Sequence, residues 1–377
     1  PALSQEYNIE NIHIDGYIGN RINTCIEHRV KSQNTDHLIE PFKHRNEDHL
    51  WQSEFFGKWL LGAIASYQYT KDKELYNLIT NSVEKLMNTQ TSDGYIGNYK
   101  REAQLTNWDI WGRKYTSLSL LSYYRLTGDK KALNAVERLI NHLMEQLQIH
   151  NINIAATGYY LGMASCSILE PVVYLYDITR NPRYFIFCQM PIVSSIEREG
   201  SSQLITKTLK NIPVSERSAF PKSWWSFENG QKAYEMMSCY EGLIELGTIV
   251  NDPFYIKIAE KAVNNIQEDE INIAGSGAAF ECWYKGKEKQ TLPTYHTMET
   301  CVTFTYMQLC HRLLCKTGNS FYAEEFEHTM YNALMATMKM TAVKSLNTAH
   351  WKVEDNPAKS NCGMHINCCN ANGPRGF

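Results

Sequence analysis

The sequence predicts an all-α fold, an (α/α)6 toroid of helical hairpins running through residues 1–377 as one unit, and two observations carry that expectation. The first is a pattern that occurs five times, in which an apolar helical stretch reaches a short polar break and restarts as an amphipathic helix. The second is that the stretches between these pairs are long, irregular and rich in aromatic and charged residues, which suits loops gathered at one mouth of a closed barrel. Length alone does not demand two domains, because barrels of this kind run to several hundred residues around one core.

The five paired segments follow one design. They are Ser66–Met87 around Lys71-Asp72, Leu120–Met144 around Gly128-Asp129, Leu169–Phe187 around Asn181-Pro182, Tyr240–Ile266 around Asn251-Asp252, and Tyr306–Leu334 around Gly318-Asn319. Each break offers a residue that ends one helix, a turn, and an Asp or Asn that starts the next, and such short connections make the two helices antiparallel neighbours. An open solenoid is the alternative architecture for the same pattern. The irregular stretches include Asp93–Gly97, Trp108–Tyr115, Pro221–Trp225 and Gly275–His296. Six of the eight tryptophans (Trp51, Trp108, Trp111, Trp224, Trp225 and Trp283) lie in or beside them, where flat apolar rings suit stacking on sugars.

Composition narrows the partner. Hydrophobic residues make up 43% of the chain, enough for a sizeable interior, and a formal net charge of -3 carries no signature for nucleic acid or an anionic membrane. A carbohydrate or other small molecule is the expected ligand. No run approaches the roughly 20 apolar residues of a membrane-spanning helix, and residues 1–20 lack a signal-peptide pattern. The abrupt start at Pro1 and the stop at Phe377, just after a cysteine-rich motif, lead us to expect a longer natural chain.

The 11 cysteines are odd in number and irregularly spaced, which argues against a disulfide framework. Cys25, Cys166, Cys188, Cys239, Cys310 and Cys315 read as packing residues. The exceptions are Cys301, one residue after Glu299-Thr300, and the adjacent Cys368-Cys369 that precede Asn370-Ala371-Asn372-Gly373-Pro374-Arg375. Three thiols and a carboxylate make a set able to hold Zn2+ tetrahedrally. Spacing by itself leaves open a vicinal disulfide, buried thiols or a structural zinc site.

Three stretches then carry a resemblance: His296-Thr297-Met298-Glu299-Thr300-Cys301, the Phe-Tyr-Ala-Glu-Glu-Phe-Glu-His-Thr-Met-Tyr-Asn-Ala-Leu run within Gly318–Leu334, and Cys368 to Arg375. In these the chain resembles the cysteine-dependent β-L-arabinofuranosidases of glycoside hydrolase family 127. The resemblance implies that Glu299, Cys301, Cys368 and Cys369 surround zinc and that Cys368 is the nucleophile of a retaining hydrolysis. It further implies a glutamate acid/base upstream, beside a Gly-rich strand turn, hence a short β-hairpin insertion near the active site. Glu281, after Gly275-Ser276-Gly277-Ala278-Ala279-Phe280, is the candidate for that role and Glu288 the next, although the family's Glu-Ala-Phe order reads Ala-Phe-Glu here. Members continue into β-sandwich domains, which are expected beyond residue 377.

The departures bear on the sugar. Where the family places pocket histidines, this chain reads Trp108-Asp109-Ile110-Trp111, Gly162-Met163 and Gly230-Gln231-Lys232. With Arg113, Lys114, Lys222 and Lys232 in those neighbourhoods, a ligand carboxylate becomes an expectation, and relatives act on acidic branched pectic sugars such as aceric acid of rhamnogalacturonan-II. Trp108, Asp109, Arg113, Lys232 and His365 are the expected substrate contacts, with Asn367 beside the cysteine pair. The expected activity is removal of a terminal L-arabinofuranose-like or acidic sugar from pectic oligosaccharides, in a periplasmic or otherwise extracytoplasmic bacterial setting, or alternatively the cytoplasm. The alternatives are a non-catalytic carbohydrate-binding toroid with a structural zinc, and an unsaturated-uronide hydrolase or lyase on the same fold.

Overall fold

A computed structural model describes residues 12–218, 231–292, 297–338, 366 and 368–377. The chain folds as two compact units, one formed mainly by residues 6–151 with the C-terminal residues 356–377, the other mainly by residues 152–337.

The first unit opens with α1 (Gly16–Cys25) and α2 (Thr35–His44), followed by a hairpin of α3 (Glu54–Thr70) and α4 (Lys73–Met87) and a second of α5 (Asp109–Thr127) and α6 (Lys130–Ile149). The second unit holds three more hairpins: α7 (Leu169–Thr179) with α8 (Pro182–Phe187), α9 (Ala233–Ile249) with α10 (Pro253–Asp269), and α11 (Thr300–Thr317) with α12 (Ser320–Thr329). The short helix α13 (Cys368–Asn372) returns to the first unit, where it packs on α3. All five hairpins expected from the sequence are present.

Their turns work as the sequence suggests. Lys71, Gly128, Arg180, Asn251 and Gly318 sit in the left-handed region and end the preceding helices. Asp72, Asp129, Asn181, Asp252 and Asn319 then accept hydrogen bonds from backbone amides of the following first turns, for example 2.8 Å from the Glu74 amide to Asp72 and 2.9 Å from the Lys131 amide to Asp129. Two of these turns use the free conformation of a glycine and three force it on a side chain.

Within a hairpin the two helices differ in how they are buried. α3 is buried on nearly every face, including Glu54, Phe55, Phe56, Lys58, Leu60 and Ile64, whereas α4 buries one stripe of Leu75, Ile79, Val83 and Leu86. The same contrast separates α5 from α6 and α9 from α10. First helices are therefore inner and second helices outer within each unit. Close helix packing needs small residues: a Cβ added at Gly57 would lie 2.4 Å from the Tyr115 carbonyl oxygen, which is what lets α3 and α5 approach each other closely.

Candidate active site

The local geometry begins at a hairpin. Ala279 and Cys282 exchange both backbone hydrogen bonds at 2.9 Å, and the two residues between them, Phe280 and Glu281, both have positive φ, 48° and 67°. That is the pattern of a type I′ turn, and it places Glu281 at the tip. The expected β-hairpin insertion is thus a minimal one, made of isolated bridges. It is stitched on both sides: the Ala233 amide donates to the Glu281 carbonyl and the Trp283 amide to the Gln231 carbonyl, each at 2.9 Å, while the Met298 amide donates to the Ala278 carbonyl at 3.2 Å. The first two bonds tie the turn to the start of α9, the third to the segment entering α11.

Glu281 forms an ion pair with Lys232, the N-cap residue of α9. The Lys232 side chain is only 7% exposed and that of Glu281 42%, so the lysine is the buried partner and the carboxylate the accessible one. The ammonium lies 4.7 Å from the centre of the Tyr160 ring. Burial alone would depress its pKa, but Tyr160, Glu235, Cys282 and Glu299 outweigh that and hold Lys232 above the ordinary lysine value, so it stays cationic at neutral pH. Burial raises the Tyr160 hydroxyl well above the usual range, leaving it protonated.

Glu299 is the N-cap residue of α11 and is buried, with Cys301 fully buried in the first turn. Ligands at the start of a helix sit where its dipole favours negative charge. Cys368 and Cys369 open α13, with Cys369 buried and Cys368 half-buried, and their sulfurs are 4.0 Å apart. That separation excludes a disulfide bond and is close to the roughly 3.8 Å edge of a tetrahedron with metal–sulfur bonds of about 2.3 Å. One ligand atom from each of Glu299, Cys301, Cys368 and Cys369 lies within 4.8 Å of the others. Three thiols and one carboxylate at that spacing fit a single metal ion. Cys25, Cys166, Cys188, Cys239 and Cys310 are buried in helices, with burial pushing the Cys25 thiol up to about 12.

Three further expected contacts, Trp108, Asp109 and Arg113, belong to the first unit. Arg113 is completely buried, pairing with Asp109 at 2.7 Å, donating to Gln146 at 2.8 Å and meeting His142 at 3.2 Å. Asp109 also accepts from the Tyr95 hydroxyl at 2.7 Å and the Leu105 amide at 2.9 Å. This network fastens residues 95–109 onto α5 and α6, which gives both residues a role in holding the fold. Trp108 is 7% exposed and packs edge-on against Trp51 and Trp111, and Trp111 and Trp283 are each 1% exposed, so these rings are spent on packing. Lys232 is the expected substrate contact that stands beside Glu281. His365, Asn367, Lys222, Trp224 and Trp225 lie outside the described residues. The sequence reading missed Tyr160, Glu235 and Glu270. Glu235 follows Lys232 by three residues, a helical spacing that would have flagged it; nothing local marks the other two.

A model of the β-L-arabinofuranosidase GH127 catalytic domain matches residues 15–377. No curated protein matches the chain in sequence. Among solved structures, a GH127 β-L-arabinofuranosidase from Geobacillus stearothermophilus T6 aligns at 16% identity and a TM-score of 0.67 over 96% of this chain and 63% of its own. A second GH127 β-arabinofuranosidase aligns at 17% identity and 0.68, over 97% and 60%. The chain therefore spans about three fifths of these relatives. An α-1,6-mannanase of Salegentibacter sp. HEL1_6, an inactive variant bound to α-1,6-mannotriose, aligns at 13% identity and 0.57 over 91% and 96%. These likenesses show the fold, the all-α toroid of helical hairpins expected from the sequence.

Proposed function

The chain belongs to the catalytic-domain family of the GH127 β-L-arabinofuranosidases, and from that premise we propose that it is a retaining glycoside hydrolase with Cys368 as nucleophile and Glu281 as acid/base. The observation that carries the reading is the convergence of Glu299, Cys301, Cys368 and Cys369 within 4.8 Å. Zinc is the metal this donor set suits, and when bound it would keep the thiols as thiolates at neutral pH, where a free thiol with a pKa near 8.5 is mostly protonated.

Within that set Cys368 is the half-buried sulfur, while Cys301 and Cys369 are buried, so Cys368 is the one a sugar can reach. Its Sγ attacks the anomeric carbon, a carbon–sulfur bond forms and the glycosidic carbon–oxygen bond breaks as Glu281 gives its proton to the leaving oxygen. In the second half Glu281 takes a proton from water, the oxygen of that water bonds to the anomeric carbon, and the carbon–sulfur bond breaks to return Cys368. With Glu281 in the protonated form that the first half-reaction needs, the buried and cationic Lys232 beside it faces no ionised Glu281 and would accept a carboxylate on the sugar, which favours an acidic pectic residue over a neutral one. Arg113 has no part in this reading, since its guanidinium is committed to Asp109, Gln146 and His142.

The test joins metal analysis to labelling. Protein purified with zinc is expected to hold about one zinc per chain, and an electrophilic sugar to add one sugar mass to the peptide containing Cys368. Cys368→Ser should abolish turnover, with zinc content measured on the same sample. Labelling on Glu281 or Glu299, with Cys368 unmodified, would show that a carboxylate is the nucleophile.

A further inference from the structure

The turn that carries Glu281 is costly to hold. Ala278, Phe280, Glu281 and Lys285, none of them glycine, all have positive φ, between 48° and 68°. A hairpin of this type normally uses Asn-Gly or Asp-Gly at its tip, and a phenylalanine and a glutamate there are strained. Such a conformation persists only where its surroundings over-determine it. The bonds to Gln231 and Ala233 account for one side of the turn. The residues that leave it, Tyr284 to Gly286, need a second anchor.

That anchor is Glu270, at the end of α10. Its side chain is completely buried, and its carboxylate accepts three backbone amides in succession: Tyr284 at 3.0 Å, Lys285 at 2.9 Å and Gly286 at 3.0 Å. Two glycines let the chain come this close, because a Cβ at Gly277 would stand 2.9 Å and one at Gly286 2.8 Å from the Glu270 carbonyl oxygen. Both arms of the 277–286 segment thus pack on one residue. A neutral side chain of the same shape cannot replace it, since an amide has one oxygen to offer and its NH2 would face a backbone N–H.

We propose that Glu270 is a positioning residue for the reaction: its buried carboxylate gathers the amides of residues 284–286 and so holds the strained turn that aims Glu281. This rests on the assignment of Glu281 as acid/base. Glu270 itself touches no substrate. Its influence passes through the backbone of residues 281–284.

The test compares wild type, Glu270→Gln, Glu281→Gln and the double variant. Hydrogen exchange is expected to speed up by about tenfold or more in peptides covering residues 279–286 of Glu270→Gln, with the helices of the unit unchanged. On a methyl glycoside, where acid assistance is needed, Glu270→Gln should lose kcat by about tenfold or more. On a 4-nitrophenyl glycoside, whose leaving group needs little assistance, the loss should be small. In the Glu281→Gln background the Glu270→Gln change should add nothing further. Unchanged exchange across 279–286, equal losses on both glycosides, or losses that multiply in the double variant would each overturn the inference. Full turnover of the methyl glycoside by Glu281→Gln is a different result: it removes the acid/base assignment, and the positioning role with it.

Discussion

Lys232 is the residue at which charge and burial decide most. A lysine with a 7% exposed side chain stays cationic here with the carboxylates of Glu235 and Glu299 near it, and it pairs with Glu281. Lys232→Met keeps the length of the side chain and its packing while removing the ammonium. If the lysine reads a sugar carboxylate, the variant should lose at least about tenfold in kcat/KM for an acidic oligosaccharide relative to its carboxyl-reduced form, about 1.4 kcal/mol of discrimination. An unchanged ratio in such a comparison would leave the anionic-sugar reading without its support. Arg113 and Lys232 were both named from the sequence as substrate contacts, and the fold treats them differently. Arg113 lies four residues after Asp109 on the same helix and is turned inward to it, whereas Lys232 begins a helix at the foot of a hairpin. Side-chain direction separates them, and it is set by the backbone around each residue.

At the scale of elements, the hairpin breaks are a repeated device whose strength can be measured one at a time. Asp129 follows Gly128 and caps α6 by accepting from the Lys131 amide at 2.9 Å. Asp129→Ala leaves that amide without its side-chain acceptor and should lower stability by about 1 kcal/mol, read as a shift of the urea midpoint with an unchanged slope. Asp129→Asn should recover most of the loss. These caps were legible because they act over two or three residues: an Asp or Asn at a short polar break, followed by a second helix, needs no distant partner to be recognised. The hairpin that carries Glu281 was only half legible. Its Gly-rich approach announced a turn, but Phe280-Glu281 is not a pair that sequence rules assign to a left-handed tip, and the forces that impose it come from Glu270, Gln231 and Ala233.

On the scale of the whole molecule, the unit formed by residues 152–337 has a charged centre. Arg312 of α11 pairs with Glu170 of α7 at 2.6 Å and with Glu245 of α9 at 2.5 Å, reaches Glu241 at 3.8 Å and donates to the Tyr174 hydroxyl at 2.9 Å. One guanidinium therefore joins the inner helices of three successive hairpins. Arg312→Met would leave three buried or nearly buried carboxylates without their shared counter-charge, and the expected loss is about 3 to 5 kcal/mol of unfolding free energy, measured by denaturant titration. A loss below about 1 kcal/mol would mean that the helices are held by apolar packing alone. The sequence by itself determined what is local and periodic: five hairpins with their caps and turns, the all-α class, and the Glu-Thr-Cys and Cys-Cys motifs whose residue types suit a metal. Tertiary structure alone decided which charges are spent inside the fold, that Lys232 faces Glu281, and that a glutamate at the end of α10 fastens the turn between them. The physical reason is range, since helix propensity and capping act within one or two turns, whereas ion pairs and buried carboxylates are fixed by segments tens of residues apart that only packing brings within about 3 Å.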